Sequence, residues 1–142
     1  MDRRTALIQS FAVLLFAVAG PAALACGVCV EDKIAAVYDH AVVAQALDQK
    51  HHVAFFHIDG PLAPGDATRR WLEAAVASTA GVDKGSTRVA ADTLTISLAF
   101  NPRHTSLGAL QNALDKKLAA KNLSLMPLRV IDGPAQLKTV KR

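Results

Sequence analysis

The chain has 142 residues, 51% of them hydrophobic and 20% charged, with a formal net charge of +4 at neutral pH. That suffices for one globular core and falls short of two ordinary domains. The basic residues are dispersed rather than gathered into a patch, which gives nucleic-acid binding no basis.

At the start, Arg3 and Arg4 precede the apolar run Phe11 to Ala19, and Ala23-Leu24-Ala25 supplies the small residues that a signal peptidase requires. Residues 1–25 therefore read as a signal peptide. The apolar stretch is shorter than the roughly 20 residues of a transmembrane helix, so no membrane span is expected. The mature chain would begin at Cys26 and be periplasmic or secreted. A lipoprotein signal would acylate the same cysteine, but such signals usually carry Leu three residues earlier, where this chain has Ala23; anchoring at Cys26 is the weaker reading.

Residues 26–50 hold Cys26-Gly27-Val28-Cys29 and a helix. Ile34, Val37, Tyr38, Ala41 and Val42 recur at three-to-four spacing and predict one helix over Glu31 to Leu47, starting directly after Cys29, with Glu31 and Asp32 in its first turn. Val53 to Ile58 reads as a buried strand closed by Asp59-Gly60-Pro61. Asp66 is the expected N-cap of a second helix carrying Trp71, Leu72, Ala75 and Val76, which ends near Gly81. Two strands follow, about Ser86 to Ala90 and Thr93 to Phe100, joined near Ala91-Asp92. The alternation Leu94, Ile96, Leu98, Phe100 predicts one buried face. Thr105 or Ser106 caps a third helix with Leu107, Leu110, Leu114 and Leu118 on one stripe, and Leu123 to Ile131 forms the last strand. Residues 132–142 are a basic tail. From 51 to 131 the order is βαββαβ, an α+β, ferredoxin-like split βαβ sandwich with both helices on one face and the additional N-terminal helix docked on that core.

Gly81-Val82 after a helix, a strand pair, Asn101-Pro102, and Thr105-Ser106 leading to Leu110 and Ala113 together resemble the heavy-metal-associated domain of copper chaperones, over about residues 51–131. The resemblance implies a soft-metal carrier that hands its ion to another copper-handling protein or a metal transporter. It also implies a metal-binding CxxC in the loop after the first strand. Here that loop, Gly60 to Asp66, has no cysteine, and the chain's CxxC stands some thirty residues earlier.

Cys26 and Cys29 are the chain's two cysteines. Two thiolates at this spacing can converge on one ion; sulfur donors select copper(I), while zinc is possible but wants two further ligands. A helix start would favour thiolate through its dipole and free amides. A disulfide closing so short a loop would be a poor staple. The alternative is a thioredoxin-like thiol-disulfide oxidoreductase, since Cys-Gly-Val-Cys is similar to a thioredoxin active site and Met126-Pro127 to that fold's proline; the strand order argues against it. No nucleophile motif joins Ser, His and Asp, and an enzyme is not expected.

Of the five histidines, His57 is the preferred auxiliary ligand. His40 lies about 16 Å along one helix from Cys29 and cannot share its ion unless that helix breaks. His51 and His52 point to opposite faces of a strand, and His104 has no evident role. Met126 could lend a thioether, although a methionine in an apolar segment more often belongs to the core. Transfer would proceed by ligand exchange between thiolates, and a shared ion could join two copies as a homodimer.

Overall fold

The structure, a computed structural model, describes residues 22–134, with side chains from residue 30 onward. Residues 1–21 of the expected signal peptide and 135–142 of the expected tail lie outside the described residues.

Asp39 divides what the periodicity reads as one helix. Helix α1 spans Ala22–Val37 and α2 spans His40–Asp48, and between them Asp39 is extended (φ −118, ψ 111), its carboxylate accepting from the amides of Ala41 and Val42. An aspartate that satisfies two free amides of a first turn is a strong helix start. It prevails here because the same carboxylate also meets Arg88, whose Nε lies 2.8 Å away. The expected helix is thus two helices, and the first begins before Cys26 rather than after Cys29.

Four strands follow: β1 His52–Asp59, β2 Arg88–Ala90, β3 Thr95–Phe100 and β4 Ser124–Ile131, in the order β2-β3-β1-β4. Every neighbouring pair is antiparallel. Helices α3, Asp66–Ala77, and α4, Leu107–Leu118, link β1 to β2 and β3 to β4. This is the ferredoxin-like βαββαβ fold. Ala54, Phe56, Ile58, Ile96, Leu98 and Phe100 meet α3 and α4 through Leu72, Val76, Leu110, Leu114 and Leu118 in one core. On the other face, Val53, Phe55, Ala99 and Ile131 form a second core with Ile34, Val37, Val43 and Ala46 of α1 and α2. The two central strands, β1 and β3, are therefore buried on both sides. All six residues of β3 are buried, not only the alternating apolar set.

Local boundaries differ from expectation for physical reasons. Gly65 (φ 134) takes the N-cap position of α3, and Asp66 becomes its first residue, with its carboxylate toward Arg69. β2 starts late because Ser86 Oγ donates to the Asp83 carbonyl and accepts from the Ala99 amide, holding the chain in a turn. Leu94 has a left-handed backbone (φ 50), which ends the alternation before β3 begins. Ser106, not Thr105, caps α4, accepting from the Ala109 amide at 3.1 Å. A Cβ at Gly60 (φ 130) would stand 2.5 Å from the Asn122 carbonyl oxygen, so only glycine lets the chain leave β1 this close to the start of β4.

Double-sided burial has a measurable consequence. Phe55→Ala, facing α1 and α2, is expected to cost about 3–5 kcal/mol, as much as Phe56→Ala on the opposite face. Urea unfolding of the two variants checks this; a near-neutral Phe55→Ala would mean that the second helical layer does not seal the sheet in solution.

Candidate metal centre

The backbone of Cys26 and Cys29 belongs to α1; their side chains lie outside the described ones. Residues three apart on a helix share a face, with Cβ positions about 5–6 Å apart.

His57 lies on the face of β1 that also carries Val53 and Phe55, beneath α1. Its Nδ1 is 2.9 Å from the Leu94 carbonyl oxygen and 3.3 Å from Lys33 Nζ. A single ring nitrogen cannot donate to one and accept from the other. The shorter contact, to an oxygen that can only accept, fixes the proton on Nδ1 and leaves the lone pair on Nε2. A backbone carbonyl orienting a histidine in this way is the arrangement found behind metal-bound imidazoles. Lys33 is one turn beyond Cys29 on α1, the spacing that could have flagged it in the sequence.

Met126 is opposite His57 in the β1–β4 pairing. It is not a core residue: 52% of its surface is exposed, and among the described residues it is the one large hydrophobic side chain so exposed.

The remaining histidines are engaged elsewhere or lie in solvent. His51 Nδ1 is 2.5 Å from Asp83 Oδ2, and the His52 ring packs edge-on to Phe100 at 5.6 Å. His40 is exposed at the start of α2, and His104 is exposed in the turn before α4. The helix does break before His40, but Cys29 remains two turns of α1 away, about 12 Å. The Gly60 to Gly65 loop buries Leu62 partly against the core and offers no metal donor. A surface pocket of about 280 Å³ between α2 and the Asp83 to Ser86 turn lies away from His57 and is lined by Gln45, Gln49 and Lys84 rather than soft donors. Among the described residues no group of three or more His, Cys, Asp or Glu is gathered to hold a metal, and no helix is long and apolar enough to cross a membrane.

Three solved domains are similar to part of this chain. A copper binding domain from HMA7, a P-type ATPase, is 16% identical over 56% of this chain and 96% of its own length, with a TM-score of 0.44. The N-terminal domain of a potential copper-translocating P-type ATPase from Bacillus subtilis, in the Cu(I)-loaded state, is 23% identical over 58% and 94%, also at 0.44. Oxidized MerP from Ralstonia metallidurans CH34 is 18% identical over 56% and 99%, again at 0.44. No protein-family model and no curated protein matches the chain. At these levels no site residue carries over, and the chemistry rests on this chain's own groups.

Two ion pairs position α1 and α2. Arg129 on β4 donates to Glu31, and Arg88 on β2 donates to Asp39. The Arg129 hydrogen bond holds the Glu31 carboxyl below the usual range, and the Val42 amide followed by Arg88 does the same for Asp39. A lowered folded pKa adds stability that is present above the unfolded value, about 4, and is lost as pH falls through that value toward the folded one. Glu31 is 46% exposed, so the pair contributes at most about 1 kcal/mol. Glu31→Gln should therefore be less stable than the parent at pH 7 by up to about that amount, and the gap should close by about pH 3. Urea midpoints at the two pH values decide it, a pH-independent gap being the contrary result.

Proposed function

We propose that this chain is an exported carrier of copper(I) that holds the ion between the thiolates of Cys26 and Cys29, with His57 as auxiliary donor. It would pass the ion by ligand exchange to another copper-handling protein or a metal transporter, and it would act without catalysing a reaction. The observation supporting this is the course of α1. The carbonyl of Val37 accepts from Ser97 Oγ, and Ser97 pairs with Phe55; one turn back, Lys33 reaches His57, two residues further along β1. α1 thus runs against β1. One more turn back, about 6 Å of helix, matches about two strand residues and comes level with the end of β1. Cys29 is the residue one turn before Lys33.

The electrostatics agree with that reading. Copper(I) between two thiolates leaves a net charge of −1, and the Lys33 ammonium one turn away offsets it. His57 Nε2 carries the free lone pair on the same side of the sheet. Removal of residues 1–25 would make Cys26 to Cys29 the first turn of what remains of α1, where free amides and the helix dipole stabilise thiolate. Zinc would need more donors than this set supplies without help from a partner.

The full chain, exported and then purified without a tag at its start, should have the mass of a protein beginning at Cys26. Anaerobic titration against a competing chelator should show one copper(I) per chain, bound more tightly than about 1 μM, and lost in Cys26→Ser/Cys29→Ser. Lys33→Gln should weaken binding about fivefold, equivalent to about 1 kcal/mol. Binding unchanged in the double cysteine variant sinks the proposal. Disulfide-exchange activity, with a reduction potential near those of thioredoxin-like oxidants, would favour an oxidoreductase instead.

A further inference from the structure

Met126 is placed unlike any other large apolar side chain described. In the β1–β4 ladder Leu125 opposes Ile58, and both enter the core under α3 and α4. Met126, the next residue, opposes His57 and so faces the side of the sheet that α1 covers. It stays 52% exposed, so α1 leaves this corner of the sheet open to solvent. Directly opposed residues of an antiparallel pair have Cβ atoms about 5 Å apart, close enough for the Met126 thioether and His57 Nε2 to reach one ion.

A thioether left in water beside an oriented imidazole costs burial that a nearby core could have provided, and strand addition does not explain it. β4 is an edge strand, but Pro127 follows Met126 and removes an amide from that edge, which blunts pairing with another chain.

We infer that Met126 Sδ and His57 Nε2 form a paired soft donor at this open corner, and that Met126 is a ligand to the copper(I) ion carried by Cys26 and Cys29. The inference rests on the copper reading above and names a donor beyond it. Thioether sulfur favours copper(I) and silver(I) over zinc, so Met126 would sharpen selectivity. It carries no proton to lose, so its contribution persists at pH values where thiols are protonated. Its exposure leaves one side of the ion accessible to an incoming thiolate.

The chain has two methionines, Met1 and Met126, and processing after Ala25 removes the first. Methyl-labelled methionine in the exported protein therefore gives one resonance. That resonance should shift at one equivalent of copper(I), and Met126→Leu, a conservative change at an exposed position, should weaken copper(I) binding about tenfold while leaving zinc binding unchanged. In Cys26→Ser/Cys29→Ser, silver(I) should still shift the methyl resonance, and His57→Gln added to that background should abolish the shift. A methyl resonance unmoved by saturating copper(I), with cysteine-dependent binding intact, overturns the inference and spares the copper reading. Copper bound equally well without the cysteines fails the copper reading, while the silver(I) experiment still judges the His57–Met126 pair.

Discussion

A strand that reads Val-Ala-Phe-Phe-His-Ile has no face to give to water. In β1 the residues Ala54, Phe56 and Ile58 fill one side and Val53 and Phe55 the other, all at or below 1% exposure. With α3 and α4 occupying only one side of the sheet, the other would expose Phe55, Ala99 and Ile131, a contiguous apolar surface of the kind that drives association. The helices α1 and α2 are the physical answer to that surface. The position of the cysteine pair is a by-product of covering it.

The cover is held by polar contacts as well as by packing. Ser97 is buried on β3 beneath α1 and donates to the Val37 carbonyl at 2.8 Å, so the end of the helix is tied to the sheet by one of the carbonyls that a helix terminus leaves free. Tyr38 follows and stacks on Phe55 with ring centroids 6.4 Å apart, and burial pushes its phenol pKa up. The arginines of the two edge strands, Arg88 and Arg129, each reach up to one acid of the helical layer. Individually these exposed pairs contribute little. Together they tie the helical layer to both edges of the sheet, Glu31 of α1 to β4 and the α2 cap Asp39 to β2.

How much of this was legible in the sequence follows from the range of each signal. The βαββαβ order could be read because strand and helix periods are local, and the cysteine pair because it is a motif. The break at Asp39 was missed because the apolar period continues through it, although an aspartate just before Ala41-Val42-Val43 is itself a capping signal. Burial of both faces was half visible in the unbroken apolar run of β1, but the covering layer depends on Glu31–Arg129 and Asp39–Arg88, contacts 98 and 49 residues apart in the chain. For Met126 the sequence leaves two readings open, a thioether donor or a core residue, and the structure leaves it 52% exposed. Its segment is apolar, and its exposure is set by tertiary packing that the local sequence does not encode.

The chemistry of the corner near His57 also depends on a backbone detail. Leu94 adopts a left-handed conformation, and its carbonyl accepts both the Ile58 amide at 2.7 Å and His57 Nδ1 at 2.9 Å. That carbonyl ends the β2–β3 turn, anchors β1, and sets the tautomer of the imidazole. With the proton directed at Leu94, Nδ1 offers Lys33 Nζ no lone pair, and the ammonium charge is free to answer an anion nearby. A bis-thiolate copper(I) centre is such an anion, and a neutral imidazole and a thioether are the donors that add no further negative charge to it. On the copper reading proposed above, the corner would suit a soft cation whose ligand set already carries an excess of one negative charge. A divalent ion on the same two thiolates would be neutral and would gain nothing from Lys33.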